Sequence, residues 1–268
     1  MKSVKKPLTI LVTGASKGIG FDLAQRLQKW GHRVIGVARS QPIEPFTFTF
    51  FSCDLTDKEA ISKLPDAFKK VSLQLDVVIQ NAGLGYGGSV EELPDDAFEK
   101  TLALNVLAID RLNRLLLPMI KDARGYIIHV GSVAGDLAIP FQTFYSASKA
   151  ALERYSEGLR NELKPFGVRV VTIKPGDTQS QFSANRVTVY QKESPYYERI
   201  QRSIQRMEAD EKSGMPTHSV FRAVKKIIMK KNPPVSITIG FSYQFLQFLN
   251  RILPKKFVQF ILYQLYGK

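Results

Sequence analysis

Apolar and polar positions alternate between two rhythms along this chain. Short, almost continuous apolar runs occur at LTILVT (Leu8–Thr13), RVIGVA (33–38), DVVIQN (Asp76–Asn81), YIIHVGS (126–132), VRVVTIKP (168–175) and VSITIG (235–240). A seventh run, FTFTFF (46–51), alternates phenylalanine and threonine at period two. Runs of this length read as strands, and strands apolar on both sides need cover on both faces. Between them apolar residues recur three and four apart. Gly18–Trp30 carries Leu23, Leu27 and Trp30, a helix opens near Asp57, and Phe98–Lys121, Tyr145–Phe166 and Tyr196–Met207 have helical spacing. Alternating β and α segments predict an α/β fold: a doubly wound parallel seven-stranded sheet in one domain over 1–240. The irregular segment 177–213 is long enough to expect a functional role or helices of its own. Beyond 240, Phe241, Phe245, Phe248 and Ile252 again fall at helical spacing. Pro254 stops that helix and KKFVQFILYQLYG starts another, so 241–268 is expected to be an amphipathic helical C-terminal extension.

Composition narrows the classes. The single cysteine, Cys53, excludes an intrachain disulfide and a cysteine metal cluster, and it fits a reducing, cytoplasmic setting. The three histidines lack metal-ligand spacing, so no metal is expected. His129, in an apolar strand, reads as a satisfied core histidine. His32, after a turn glycine, reads as exposed, and Cys53 as a small buried hydrophobe. The first apolar run ends in glycines, as a strand would, and is too short for a signal segment. No window approaches a membrane-spanning length. Net charge is +14, and after Glu211 the chain has ten basic residues and no Asp or Glu. Such asymmetry suits an anionic partner or a solvated basic face.

TGASKGIG places Gly14, Gly18 and Gly20 between the first strand and the first helix. Glycines there let backbone approach a pyrophosphate, and the helix N-terminus offers free N–H groups. The second strand ends in Ala38–Arg39, without the acid that would accept a free ribose 2′-hydroxyl. Arg39 and Lys17 suit a 2′-phosphate instead, so NADP(H) is expected over NAD(H).

Tyr145 and Lys149 lie four apart, one turn along one helix face. An ammonium near a phenol favours the phenolate, which predicts a lowered Tyr145 pKa and a general acid/base pair. Thirteen residues upstream, Ser132 follows a strand and could hold a substrate oxygen. TGxxxGxG, NAG at Asn81–Gly83, Asn105 in LNVLA, Ser132, Y-x-x-x-K and Pro175–Gly176 occur in that order. Together they make the chain resemble the short-chain dehydrogenase/reductase family over about residues 7–240, with its Rossmann-type fold. The resemblance implies that Tyr145 exchanges a proton with the carbonyl or alcohol oxygen and that Ser132 orients that oxygen. It implies that Lys149 lowers the Tyr145 pKa and binds the nicotinamide ribose, and that Asn105 holds a water in a proton relay. Cofactor contacts are implied at Gly14, Ser16, Lys17, Gly18, Ile19, Gly20, Arg39, Asp54, Leu55, Asn81, Ala82, Gly83, Tyr145, Lys149, Pro175, Gly176, Thr178 and Ser180. Gln80 replaces a second asparagine of the family pattern. Thr178 and Ser180 replace the aliphatic residue and the threonine that grip the carboxamide.

The implied activity is NADPH-dependent interconversion of a carbonyl and an alcohol. Loop residues Tyr86, Leu137, Ile139, Phe141, Phe144, Phe182 and Tyr190 are expected to line an apolar pocket, suited to a lipid, long-chain, steroid-like or retinoid-like carbonyl. A cofactor-binding sensor without chemistry is the alternative, but no catalytic residue has decayed. A nucleic-acid binder ranks last, because no recognition motif accompanies the charge. The resemblance also implies a homo-oligomer through Phe98–Lys121 and Phe144–Phe166. For the tail, three surroundings stay open: an anionic membrane surface touched peripherally, a second subunit, or the enzyme's own substrate mouth.

Overall fold

The computed structural model describes residues 6–180 and 186–268. Seven parallel strands form the central sheet: β1 (Thr9–Thr13), β2 (Arg33–Ala38), β3 (Thr49–Ser52), β4 (Val77–Gln80), β6 (Tyr126–Val130), β7 (Arg169–Pro175) and β11 (Ser236–Ile239). Their spatial order is β3-β2-β1-β4-β6-β7-β11, so the chain reverses direction across the sheet between β1 and β4. Open α/β sheets bind ligands at that switch, outside the strand C-termini.

Residue alternation within each strand divides the core in two. Leu11, Ile35, Val78, Ile127 and Val170 face one side, against α5 (Ala108–Ala123), α6 (Thr143–Leu163) and the short α2 (Lys58–Ser62) and α3 (Leu64–Lys69). Ile10, Val12, Val34, Ile79, Ile128 and Val171 face the other, against α1 (Gly18–Lys29) and α8 (His218–Ile228). Both faces are covered, which is why these strands read as continuous apolar runs rather than alternating ones. FTFTFF is an edge strand whose regular part is only Thr49–Ser52. Phe46, Phe48 and Phe50 form one aromatic row over the α1 side, while Phe51 meets Phe68 on the other.

Two small parallel pairs lie over the strand C-termini. β5 (Tyr86–Gly87) pairs with β9 (Val187–Thr188), and β8 (Thr178–Gln179) with β10 (Met215–Pro216). The expected helix near 98 is interrupted: α4 (Ala97–Leu102) passes through a π-turn at Ala103–Leu107 before α5. α7 (Tyr197–Lys212) runs five residues beyond the expected end at Met207. His32 is buried rather than exposed, because Trp30 folds over it edge-on and its Nδ1 accepts from the Leu8 N–H. His129 and Cys53 are buried as expected. After β11 come α9 (Phe241–Ile252) and α10 (Lys255–Leu262), joined at Leu253–Pro254.

Candidate active site

Every strand-end motif of the sequence meets at one edge of the sheet. Of the candidate site residues, all but Gly20 and Asn105 line a single cavity of about 870 Å³. Gly14 and Gly18 take positive φ, the left-handed backbone that glycine favours. Gly20 has no room for a side chain: a Cβ would lie 2.2 Å from the Gly14 carbonyl oxygen and 2.5 Å from the Asn81 amide nitrogen. The N-cap residue Lys17 makes no side-chain cap and the first turn of α1 holds no acid; Gly18 and Ile19 of that turn line the cleft beside the exposed Lys17. Arg39 is exposed at the same cleft, where β2 ends. Partial burial pushes the Asp54 carboxyl up, but hydrogen bonds from the Thr56 N–H and hydroxyl, with Arg39 nearby, hold it below the usual range. A glycine cradle, an uncapped helix N-terminus and two cations fit a dinucleotide phosphate chain.

The Asn81 and Ala82 N–H groups donate to the Thr13 hydroxyl, and the Asn81 side chain donates to the Thr13 carbonyl. Asn81 therefore laces β4 to β1 while its loop lines the cleft. Thr13 was not singled out in the sequence, although its hydroxyl stands directly before the glycine turn. Leu55, Ala82 and Gly83 form the adjoining wall.

Ser132 caps a short turn after β6 and accepts from the Ala134 N–H. Its hydroxyl is hydrogen-bonded to the Tyr145 side chain, which is buried on the first turns of α6. Lys149 lies one turn on, its Nζ donating to the Val130 carbonyl at 2.8 Å and standing 5.6 Å from the Tyr145 ring centre. The expected lowering of Tyr145 does not occur: burial pushes the phenol up to about 12, outweighing the Ser132 hydrogen bond. Burial also draws Lys149 down to about 8. His129, on the strand below, is drawn down to about 3 by burial and by Lys149, so it stays neutral. It is satisfied by Ser156 and Asn113, and Asn113 accepts from Gln80. The Gln80 amide thus closes a buried polar chain.

Asn105 sits in the π-turn. Its side-chain oxygen accepts from the Leu84 N–H, and its amide donates to the Leu84 carbonyl and to Ser148. Ser148 in turn donates to the Tyr145 carbonyl. Ser148, one residue before Lys149, ties the π-turn to α6, a link that no sequence motif marks.

Pro175, Gly176, Thr178 and Ser180 line the cavity beyond β7, and the Thr178 hydroxyl turns back to the Gly176 carbonyl. Asp177 accepts from the Tyr243 hydroxyl. Arg186 and Glu211 form a buried ion pair at 2.9 Å and also line this end. They lie 25 residues apart in the irregular stretch, with no local pattern to mark them.

The expected pocket lining is partly corrected. Tyr86, Leu137 and Ile139 face the cavity. Phe144 instead stacks on Phe98, Phe141 is buried beneath the Arg199 guanidinium, and Tyr190 lies against Tyr197. Phe182 falls outside the described residues. The apolar roof comes from the tail: Leu246 and Leu249 of α9, Leu253 of the joint, and Val258, Ile261 and Leu262 of α10. The inner face of the tail lines the cavity that holds Ser132, Tyr145 and Lys149. Among the described residues no cluster of three or more His, Cys, Asp or Glu is placed to hold a metal ion, and no helix is long and apolar enough to cross a membrane.

This is a parallel doubly wound sheet with a glycine cradle and a Ser–Tyr–Lys cluster at its switch point. Residues 8–190 match the short chain dehydrogenase family model, and the chain belongs to that family of oxidoreductases, which use a nicotinamide cofactor on CH–OH and C=O groups. It is 33% identical over 238 residues to a 3-ketodihydrosphingosine reductase of Bacteroides thetaiotaomicron, covering 88% of each chain. It is 28% identical over 274 residues to the NADPH-dependent 1-acyldihydroxyacetone phosphate reductase of Saccharomyces cerevisiae, covering 95% of this chain and 89% of that one. Several other curated relatives are matched over about two thirds of their own length. A short-chain dehydrogenase from Streptomyces avermitilis superposes with a TM-score of 0.81 at 27% identity, over 97% of both chains. Similar folds under 25% identical carry NADP or NAD, so the fold alone does not choose between them.

Proposed function

We propose that this protein is an NADPH-dependent reductase that converts an apolar, lipid-like carbonyl to an alcohol. One observation carries the reading: buried Tyr145 and Lys149 and half-buried Ser132 line one cavity with the glycine cradle and an apolar roof. Arg39 and Lys17, with no acid at the end of β2, support NADPH, because a guanidinium matches a 2′-phosphate. NADPH, when bound, supplies the hydride. Tyr145 gives its phenolic proton to the carbonyl oxygen as negative charge develops there, and Ser132 fixes that oxygen. A phenol held near 12 is protonated at neutrality, which favours reduction over abstraction of a proton from an alcohol. Lys149, one turn from Tyr145 in the same cavity, would hold the cofactor ribose. The Asn105 side chain holds Leu84 and Ser148, and through Ser148 it positions the helix that carries Tyr145 and Lys149. The two lipid-directed relatives support an apolar substrate. A homo-oligomer through the α4–α5 segment and α6 belongs to the same reading.

The test is NADPH oxidation across carbonyls from small polar ketones to long-chain and polycyclic ones, with the Tyr145→Phe variant in parallel. Loss of the general acid should cost about 10³-fold in kcat and leave the NADPH dissociation constant within about twofold. Turnover retained in Tyr145→Phe overturns the assignment.

A further inference from the structure

The tail helices carry two apolar stripes where an ordinary surface helix carries one. The inner stripe, at Leu246 and Leu249 of α9 and at Leu253 just after it, lines the cavity, and α10 continues it. The polar residues between the stripes fasten the roof. Tyr243 donates to Asp177, Gln247 to Asp136, Asn250 to the Asp136 carbonyl and Tyr266 to Asp210. The outer stripe is Phe241, Phe245, Phe248, Ile252, Phe257 and Phe260, none of which lines the cavity. Each is at least half exposed, and Phe241 is 84% exposed. A set of exposed, mostly aromatic apolar side chains on two neighbouring helices marks an interaction surface.

Charge selects the occupant. Arg251, Lys255 and Lys256 are exposed on the same two helices, and the chain has no carboxylate side chain after Glu211. A second copy laid face to face would set these cations against their own equivalents. An anionic lipid surface answers both features: phenylalanines enter the headgroup boundary, and arginine and lysine meet lipid phosphates.

We propose that α9 and α10 seat on an anionic bilayer by this outer stripe. The roof of the cavity is then in contact with lipid, and a long-chain substrate passes from the bilayer beneath the roof to Tyr145. The docking stands on the outer stripe and its cations; the delivery step rests on the reductase reading.

The test is sedimentation of the full chain with phosphatidylcholine vesicles, with and without phosphatidylglycerol. Wild type should pellet with the anionic vesicles only, and less so as salt rises. Phe245→Ser/Phe248→Ser/Phe260→Ser should lose at least about tenfold in partitioning, and Lys255→Gln and Lys256→Gln about fivefold each. Turnover of a short water-soluble ketone should stay within about twofold in all of them, which reads the active site separately from the docking surface. Wild type remaining in the supernatant with both vesicles overturns the proposal. So does a triple-serine variant that partitions normally, or one whose only change is a smaller oligomer on gel filtration, which would assign the stripe to a second copy.

Discussion

Lys149 holds its ammonium against the Val130 carbonyl inside the protein, and burial draws its pKa to about 8. In the unfolded chain a lysine titrates near 10.4. Between these values the unfolded state binds more protons than the native state, so stability should rise with pH across about 8 to 10. Lys149→Met should abolish that rise, and melting of the cofactor-free protein across this window checks it against wild type. The same deprotonation removes positive charge beside Tyr145, so the reductive rate of wild type should fall above about pH 8. Arg39 gives a second prediction at this scale. A charge-assisted contact to phosphate contributes about 1.5–3 kcal/mol. Arg39→Ala should therefore raise KM for NADPH roughly ten- to hundredfold and leave KM for NADH nearly unchanged. Equal effects on both cofactors would remove Arg39 from 2′-phosphate recognition.

Among the elements, the turn after β7 and α9 depend on each other. A Cβ on Gly176 would lie 2.2 Å from the Tyr243 ring, so this glycine carries the tail as well as lining the cofactor cleft. Gly240, at φ +97°, turns the chain so that the same ring reaches it. Gly176→Ala should lift Tyr243 off Asp177 and open the roof. The expected result is faster limited proteolysis between 240 and 254 and a KM raised more for long-chain ketones than for a short one. The sequence displays the motifs of the cradle because each is local: a strand, a glycine, a helix. Tyr145 and Lys149 are one helical turn apart and equally legible. Thr13, Ser148 and the Arg186–Glu211 pair were not legible, because their partners are brought to them only by the sheet order and by the two small strand pairs. The Tyr145 pKa was misjudged for the same reason: spacing reveals the ammonium but not the burial that outweighs it.

On the scale of the molecule, the oxidoreductase core and the tail roof line one cavity, and under the proposed function the roof sets what the core can reach. The aromatic tail looked ambiguous in sequence because it carries two stripes, and only the fold separates the leucines over the cavity from the phenylalanines outside. In the proposed reading Tyr145 and Ser132 act on a carbonyl, while the roof meets whatever chain that carbonyl bears. If the chain lies beneath α9 and α10, each added methylene leaves water for an apolar surface, at about 0.8 kcal/mol. The value of kcat/KM should then climb about fourfold per methylene until the space under the roof is filled, and level off. Leu249→Trp shortens that space from above without touching Ser132, Tyr145 or Lys149. In this variant the plateau should arrive several carbons earlier, with the shortest ketones unaffected. Rates for a homologous series of linear ketones, measured in detergent below its micelle concentration, check both curves. A wild-type profile flat in chain length would place the chain outside the roof.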